Sequence, residues 1–272
     1  MGKDGWGSCR RTKDVAMNEL LLAAITIAVL MVATWLISVA IKDASIVDIT
    51  WGLGFATVAT VLWIADDSKS GLDALLWLMA LLWGLRLCLY LGRRNLGHGE
   101  DYRYKAMRKR WGPAFPIISF LTVYTLQGTL MWVVSLPLQL SHRAEGSIGV
   151  LAVIGVILWM VGLYFEAVGD LQLSRFKADP SNEGKVLDTG LWRLTRHPNY
   201  FGDACVWWGI ALAACSVSVG RWGLIGAVVM NILLLKVSGV ALLERSLVRR
   251  KPEYQAYIER TSAFIPRPPK SS

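Results

Sequence analysis

Four cysteines in 272 residues are too few for a dense disulfide framework, and three of them, Cys88, Cys205 and Cys215, lie inside apolar runs. No pair is spaced as zinc ligands, and no His-Glu-x-x-His, P-loop or nucleophile elbow occurs. Histidine is scarce as well: His98, His142 and His197 are scattered along the chain, so no metal site is expected. The chain lacks a linker rich in Pro, Gly or Ser, an internal repeat and a low-complexity tract. These absences favour a single domain over 19–272, preceded by a polar tail at 1–18 and ending in a cytoplasmic segment at 244–272. Gly52-Leu53-Gly54 has no third glycine and no βαβ setting, which excludes a Rossmann fingerprint.

Charge is sparse, at 18% of residues against 54% hydrophobic, and mean hydropathy is +0.43. A soluble domain of this size cannot hide so much apolar surface, so lipid must cover the excess. Apolar runs at 19–41, 46–65, 72–92, 114–138, 147–169, 199–219 and 221–243 each approach or exceed the ~20 residues that a helix needs to cross the hydrocarbon core. The expected fold is all-α, a polytopic integral-membrane bundle of about seven transmembrane helices. The first run is too long for a cleaved leader and has no small-x-small cleavage site, so it reads as a retained span.

The net charge of +9 is concentrated. Segments 93–113, 174–198 and the tail after 243 hold 19 of the 29 basic residues, and seven spans place all three on one side. The positive-inside rule assigns that side to the cytoplasm. The basic N-terminal tail falls on the other side, which leaves three options: a start at Met17, a tail outvoted by later loops, or a count off by one. Basic loops beside spans also attract anionic headgroups, making membrane lipids expected partners. With no nucleic-acid fold in view, nucleic acid is not an expected partner.

Ionic groups inside spans cost about 2.5–3.5 kcal/mol each on insertion scales and so are candidate site residues. Here they are Asp48, Arg86, Glu166, Asp170, Asp203 and Lys236. Glu166 and Asp170 share a helix face, and their position near a helix C-terminus calls for outside donors. Arg86 cannot lose its charge and must have a partner. The densest polar run is Lys185 to Asp203, with Arg196-His197-Pro198-Asn199-Tyr200 at its centre. Pro198 suits a first helical turn, so free N–H groups and the Arg196 fork would meet there, a setting that favours phosphate.

These residues resemble a known family, the uncharacterised bacterial branch of the steroid 5-alpha-reductase superfamily. The match is strongest from Glu166 to Asp203, including Thr189-Gly190-Leu191-Trp192 and Arg196 to Asp203. It extends to Ser45–Gly54, Leu126-Gln127-Gly128 and Ala263-Phe264-Ile265-Pro266. The resemblance implies a multi-pass enzyme of the bacterial inner membrane that takes NADPH from the cytosol and reduces a carbon–carbon double bond conjugated to a ketone in a steroid-like or other lipid. By position it puts Arg86, Arg94, Asn95, Glu166, Asp170, Lys177, Lys185, Arg196, His197, Asn199, Asp203 and Glu244 at the cofactor. Trp51, Trp83 and Gln127 fall at the substrate, with Asp48 as the ketone-polarising acid if protonated. The family's tyrosine position is near Trp83, whose indole can donate a hydrogen bond but is no general acid. Tyr124, Tyr164 or Tyr200 would then replace the hydroxyl. The Arg-His-Pro-Asn-Tyr turn and Glu244 are also similar to membrane methyltransferases that use S-adenosylmethionine, which makes lipid or prenylcysteine methylation the alternative. A non-catalytic lipid-binding protein is the second.

Overall fold

The computed structural model describes residues 4–67, 69–142, 147–237, 244, 248 and 253–270, of which 4–16 and 237 are described by backbone alone. Lys3, Arg143, Arg245, Arg249, Arg250 and Lys251, counted above in the charge pattern, lie outside them. The described residues are helical with no strand, an all-α polytopic bundle. They fall into two compact units, one within 1–152 and 213–226, the other within 153–212 and 227–272.

The first unit is built on α1 (Asp4–Ile41), α2 (Ile46–Ala65) and α3 (Gly71–Asn95). The residues expected as a polar tail are already helical from Asp4 and run straight into the first span. Helices α2 and α3 touch backbone to backbone at Gly52 and Gly84: a methyl group added to Gly84 would lie 2.4 Å from the Gly52 carbonyl oxygen. Only glycine permits that approach, as small residues do between membrane helices. Asp73 and Ser70 form a reciprocal capping box that starts α3. Beyond Asn95 the chain does not loop as expected but turns at 96–101 and re-enters helix as α4 (Tyr102–Trp111), capped by Asp101. Prolines at 113 and 116 then open α5 (Phe115–Ser119), a π-turn at Phe120–Tyr124 follows, and α6 (Thr125–Val134) and α7 (Leu136–Ser141) complete the run.

The second unit holds most of α8 (Val150–Ala178), α9 (Leu191–Leu194), α10 (Pro198–Ala214), most of α11 (Leu224–Ile232) and α12 (Tyr254–Arg260). Helices α8 and α10 are zipped by glycine. A methyl at Gly162 would sit 2.5 Å from the Gly202 carbonyl oxygen, one at Gly209 would sit 2.5 Å from that of Gly155, and Gly169 meets the Pro198 ring. These positions recur every seven residues on α8, which keeps one face turned to its partner over four turns.

Six helices among the described residues are long and apolar enough to cross a membrane, against the seven expected. The difference is at 199–219, where α10 ends at Ala214 after 17 residues. The chain then folds back through turns at 215–218, and Gly220 closes on the Ala214 carbonyl so tightly that a methyl would lie 2.0 Å from it. Apolar composition carried through this turn and hid it from the sequence. Within the C-terminal segment α12 is the helical stretch, and 265–269 is non-helical, as its prolines require.

Candidate functional site

Two clusters gather the polar residues singled out in the sequence, one in each unit. In the first, Asp48 lies in the opening turn of α2, where free N–H groups favour a negative charge. Its Oδ2 accepts a hydrogen bond from Arg103 Nη2 at 2.7 Å, and its Oδ1 accepts from the Tyr104 hydroxyl at 2.8 Å and from Gln127 Nε2 at 3.5 Å. Arg103, Tyr104 and Gln127 thus all donate to Asp48, and the hydroxyl within this cluster is that of Tyr104.

The turn that delivers Arg103 and Tyr104 is itself pinned. Glu100 accepts from the Ala44 backbone at 2.9 Å and from both Nε and Nη2 of Arg108, at 2.9 and 2.8 Å. Burial alone would raise the Glu100 pKa, but those bonds and the Arg108 charge hold it below the usual carboxylate range. Asp101, likewise opposed by burial, is lowered by its bonds to Arg103. Tyr124, fully buried, donates its hydroxyl to the Ala44 carbonyl at 3.3 Å and lines an apolar cavity of about 300 Å³ with Ile27, Met31, Phe120, Gly128 and Trp132. Trp83 is fully buried against Phe55, and Trp51 packs edge-on to the same ring. Arg86 and Arg94 lie one turn either side of Tyr90, each guanidinium within 6 Å of its ring, and Arg94 also donates to Asn95.

In the second unit α10 begins at Pro198 as expected, with His197 just before it. Arg196 does not offer its fork to solvent. Nε and Nη2 reach the two oxygens of Glu244 at 2.7 and 3.2 Å, while Nη1 donates to the carbonyls of Ile258 and Thr261. His197 Nε2 lies 3.0 Å from the same carboxylate, and its ring stacks on Tyr200. Burial pushes the Glu244 pKa upward, but hydrogen bonds from His197 and Arg196 and the Arg196 charge outweigh it and bring it down to about 2. Asn199 Nδ2 donates to Asp170 at 3.3 Å, linking α10 to α8. Glu166 and Asp170 are buried more than a full turn before the end of α8, which runs on to Ala178. The macrodipole penalty expected for them therefore does not apply, since it fades within the last turn.

The C-terminal segment is strapped to this cluster. Thr195 donates to the Phe264 carbonyl, Arg196 N to Ser262, Arg267 N to Leu194, and the Tyr257 hydroxyl to Trp192. Beside it lies a cavity of about 180 Å³, lined by Lys177, Arg196 and His197 among Phe176, Trp192, Tyr254 and Tyr257. Lys185 is exposed and Asp203 half-buried, one turn beyond Asn199. Sequence reasoning missed Arg103, Tyr104 and the strap, whose partners lie 55 to 73 residues away.

The helices and these buried ionic clusters define a multi-pass membrane protein with two polar centres set in an apolar bundle. The chain belongs to the DUF1295 family, proteins of unknown function, with the match running over residues 34–261. It is 24% identical to an uncharacterised protein of Schizosaccharomyces pombe over 269 aligned positions, covering 86% of this chain and 75% of that one. A 66-residue stretch, 24% of this chain, is 39% identical to a probable O-methyltransferase of Ustilaginoidea virens and covers 23% of it. No solved structure matches the chain.

Proposed function

We propose that this protein is a membrane-embedded, NADPH-dependent reductase of a conjugated carbon–carbon double bond in an apolar enone, steroid-like or otherwise lipid. The observation that carries the reading is the 180 Å³ cavity of the second unit, where the polar lining is basic and the remaining walls are aromatic and aliphatic. Such a lining suits an anionic ligand that also bears flat rings. Its volume takes one ring system of a dinucleotide, the rest lying outside, with Lys177 and Lys185 as the exposed cations for phosphate. When bound, NADPH supplies a hydride to the β-carbon of the enone. The chain's own task is the proton: in the first unit the Tyr104 hydroxyl carries one, donated to Asp48 at rest and released to a ketone or α-carbon only when that bond breaks. The Asp48 charge, fixed by Arg103, keeps that hydroxyl aligned. The apolar cavity beside Tyr124 offers a ring-sized lipid a water-poor seat.

A second reading, methyl transfer from S-adenosylmethionine to a lipid, is favoured by the stretch shared with the probable O-methyltransferase and by the Arg196–Glu244–His197 triad. The basic lining speaks against it, since a sulfonium cation gains nothing there. Thermal unfolding of the detergent-purified protein with each cofactor separates the two, because a ligand that binds only the folded state raises apparent stability. NADPH is expected to stabilise, and Asn199→Ala or Asp203→Ala to abolish the shift. Stabilisation by S-adenosylmethionine alone would transfer the assignment to methyl transfer, and by neither to lipid binding.

A further inference from the structure

At the end of α3 remote from Arg93 and Arg94, three buried side chains converge that the proposed reaction does not use. Asp66 follows the last turn of α2, Asp73 lies in the first turn of α3, and His142 follows α7; the three are 2, 3 and 7% exposed. Each can offer one ligand atom, and these atoms lie within 4.8 Å of one another. Local hydrogen bonds fix the carboxylates: Lys69 N donates to Asp66 Oδ2 at 3.0 Å, and Ser70 donates through N and Oγ to Asp73 Oδ2 at 3.2 and 2.6 Å.

The atoms facing inward are different. Asp73 Oδ1, 3.6 Å from His142 Nδ1, and His142 Nε2 are both buried and have no hydrogen-bond partner among the described residues. Buried polar atoms without partners are rare and call for an explanation such as an ion. A cavity of about 10 Å³ opens against both residues, walled by Leu62, Trp63, Trp77 and Leu138, which is room for one water or ion. Two carboxylates brought this close in an apolar setting repel one another, and a cation between them relieves that repulsion. The ammonium of Lys69 is 5.4 Å over the Trp63 ring.

We propose that Asp66, Asp73 and His142 bind a divalent cation of the zinc class, tying the α2–α3 turn to the end of α7. Two carboxylate oxygens and one imidazole nitrogen are a suitable donor set for zinc, with a fourth position left for water. Ligands ~2.1 Å from a zinc ion stand roughly 3.4 Å apart in a tetrahedron. The cluster therefore needs to draw in by about an ångström to close on it.

The test uses the full chain in detergent, stripped with a chelator, dialysed against Zn²⁺ and assayed for bound metal, affinity and melting temperature. One zinc per chain is expected, with a rise in melting temperature that chelator reverses. Asp73→Asn, which keeps the oxygen that accepts from Ser70, and His142→Gln should weaken binding at least ~10-fold, while His98→Gln, at an exposed histidine, should change nothing. A His142→Cys variant loaded with Co²⁺ should show a thiolate-to-metal absorption band. The proposal is overturned if the wild-type protein retains no zinc above a buffer blank, or if Asp73→Asn and His142→Gln bind as well as wild type. The wild-type measurement decides even where a variant fails to fold.

Discussion

The Tyr104 hydroxyl donates to Asp48 Oδ1 at 2.8 Å, and the same carboxylate is held from its other oxygen by Arg103 at 2.7 Å. A phenol bound to a fixed carboxylate is oriented through its one O–H proton. Tyr104→Phe keeps the ring and the ion pair and removes only that proton. Enone reduction is expected to fall about 10²–10⁴-fold, the usual worth of a positioned acid, with NADPH stabilisation unchanged. Asp48→Asn should also slow the reaction, by less, because the hydroxyl remains. The check is NADPH consumption against a panel of lipid enones; a Tyr104→Phe variant as fast as wild type would remove tyrosine from the mechanism.

Close backbone contact along the seam between α8 and α10 predicts a steep local cost. Gly162→Ala places a methyl 2.5 Å from the Gly202 carbonyl oxygen and 2.6 Å from Val206 N, neither of which can rotate away. The helices must separate, at a cost of roughly 1–3 kcal/mol or more. Gly149→Ala, with nothing within 4 Å of the added methyl, is the control and should be neutral. Unfolding midpoints in detergent, compared between the two variants, measure the difference.

How much of this was legible in the sequence follows from the range of each interaction. The spans were readable because lipid imposes a long apolar run on every crossing, and Pro198 marked the start of α10 because its ring fits a first turn. The seven-residue spacing of Gly155, Gly162 and Gly169 was also printed in the chain, although only the partner helix shows its use. Asp48 could be flagged by its cost, yet its partners could not: Arg103 and Tyr104 are 55 and 56 residues away, in a segment whose charge read as topology. Arg196 meets the same limit. An exposed fork and a buried one have the same local sequence, and only the fold brings Glu244 against it.

The basic cavity of the second unit leads to a prediction about cofactor affinity. Lys177 lines it and is exposed, whereas the Arg196 guanidinium is buried against Glu244, so Lys177 is the lining cation that solvent and a phosphate can reach. Lys177→Gln should weaken NADPH binding about tenfold, equivalent to about 1.4 kcal/mol, and reduce its salt dependence. Titration of the melting temperature with NADPH at low and high salt gives both quantities. The same substitution should leave any S-adenosylmethionine binding unaffected, which separates the two cofactor readings at a single residue.

Glu244 makes stability depend on pH in a defined window. Its pKa falls from 4.5 to about 2 in the folded chain: burial opposes ionisation, but the bonds from His197 and Arg196 and the Arg196 charge prevail. A depressed carboxylate contributes stability that is complete above its unfolded pKa and is lost as pH falls through the folded one. The contribution is therefore full above about pH 4.5 and gone below about pH 2. Glu244→Gln removes the charge at all pH values and leaves the Arg196 guanidinium, 8% exposed, without its carboxylate. Loss of one partner from a buried pair typically costs about 3–5 kcal/mol, and the partial exposure of Glu244 places this case at the lower end. The variant should melt lower at neutral pH, and the gap to wild type should narrow as both are titrated from pH 5 to pH 2. A gap that stays constant over that interval would mean that Glu244 acts through packing and not through its charge.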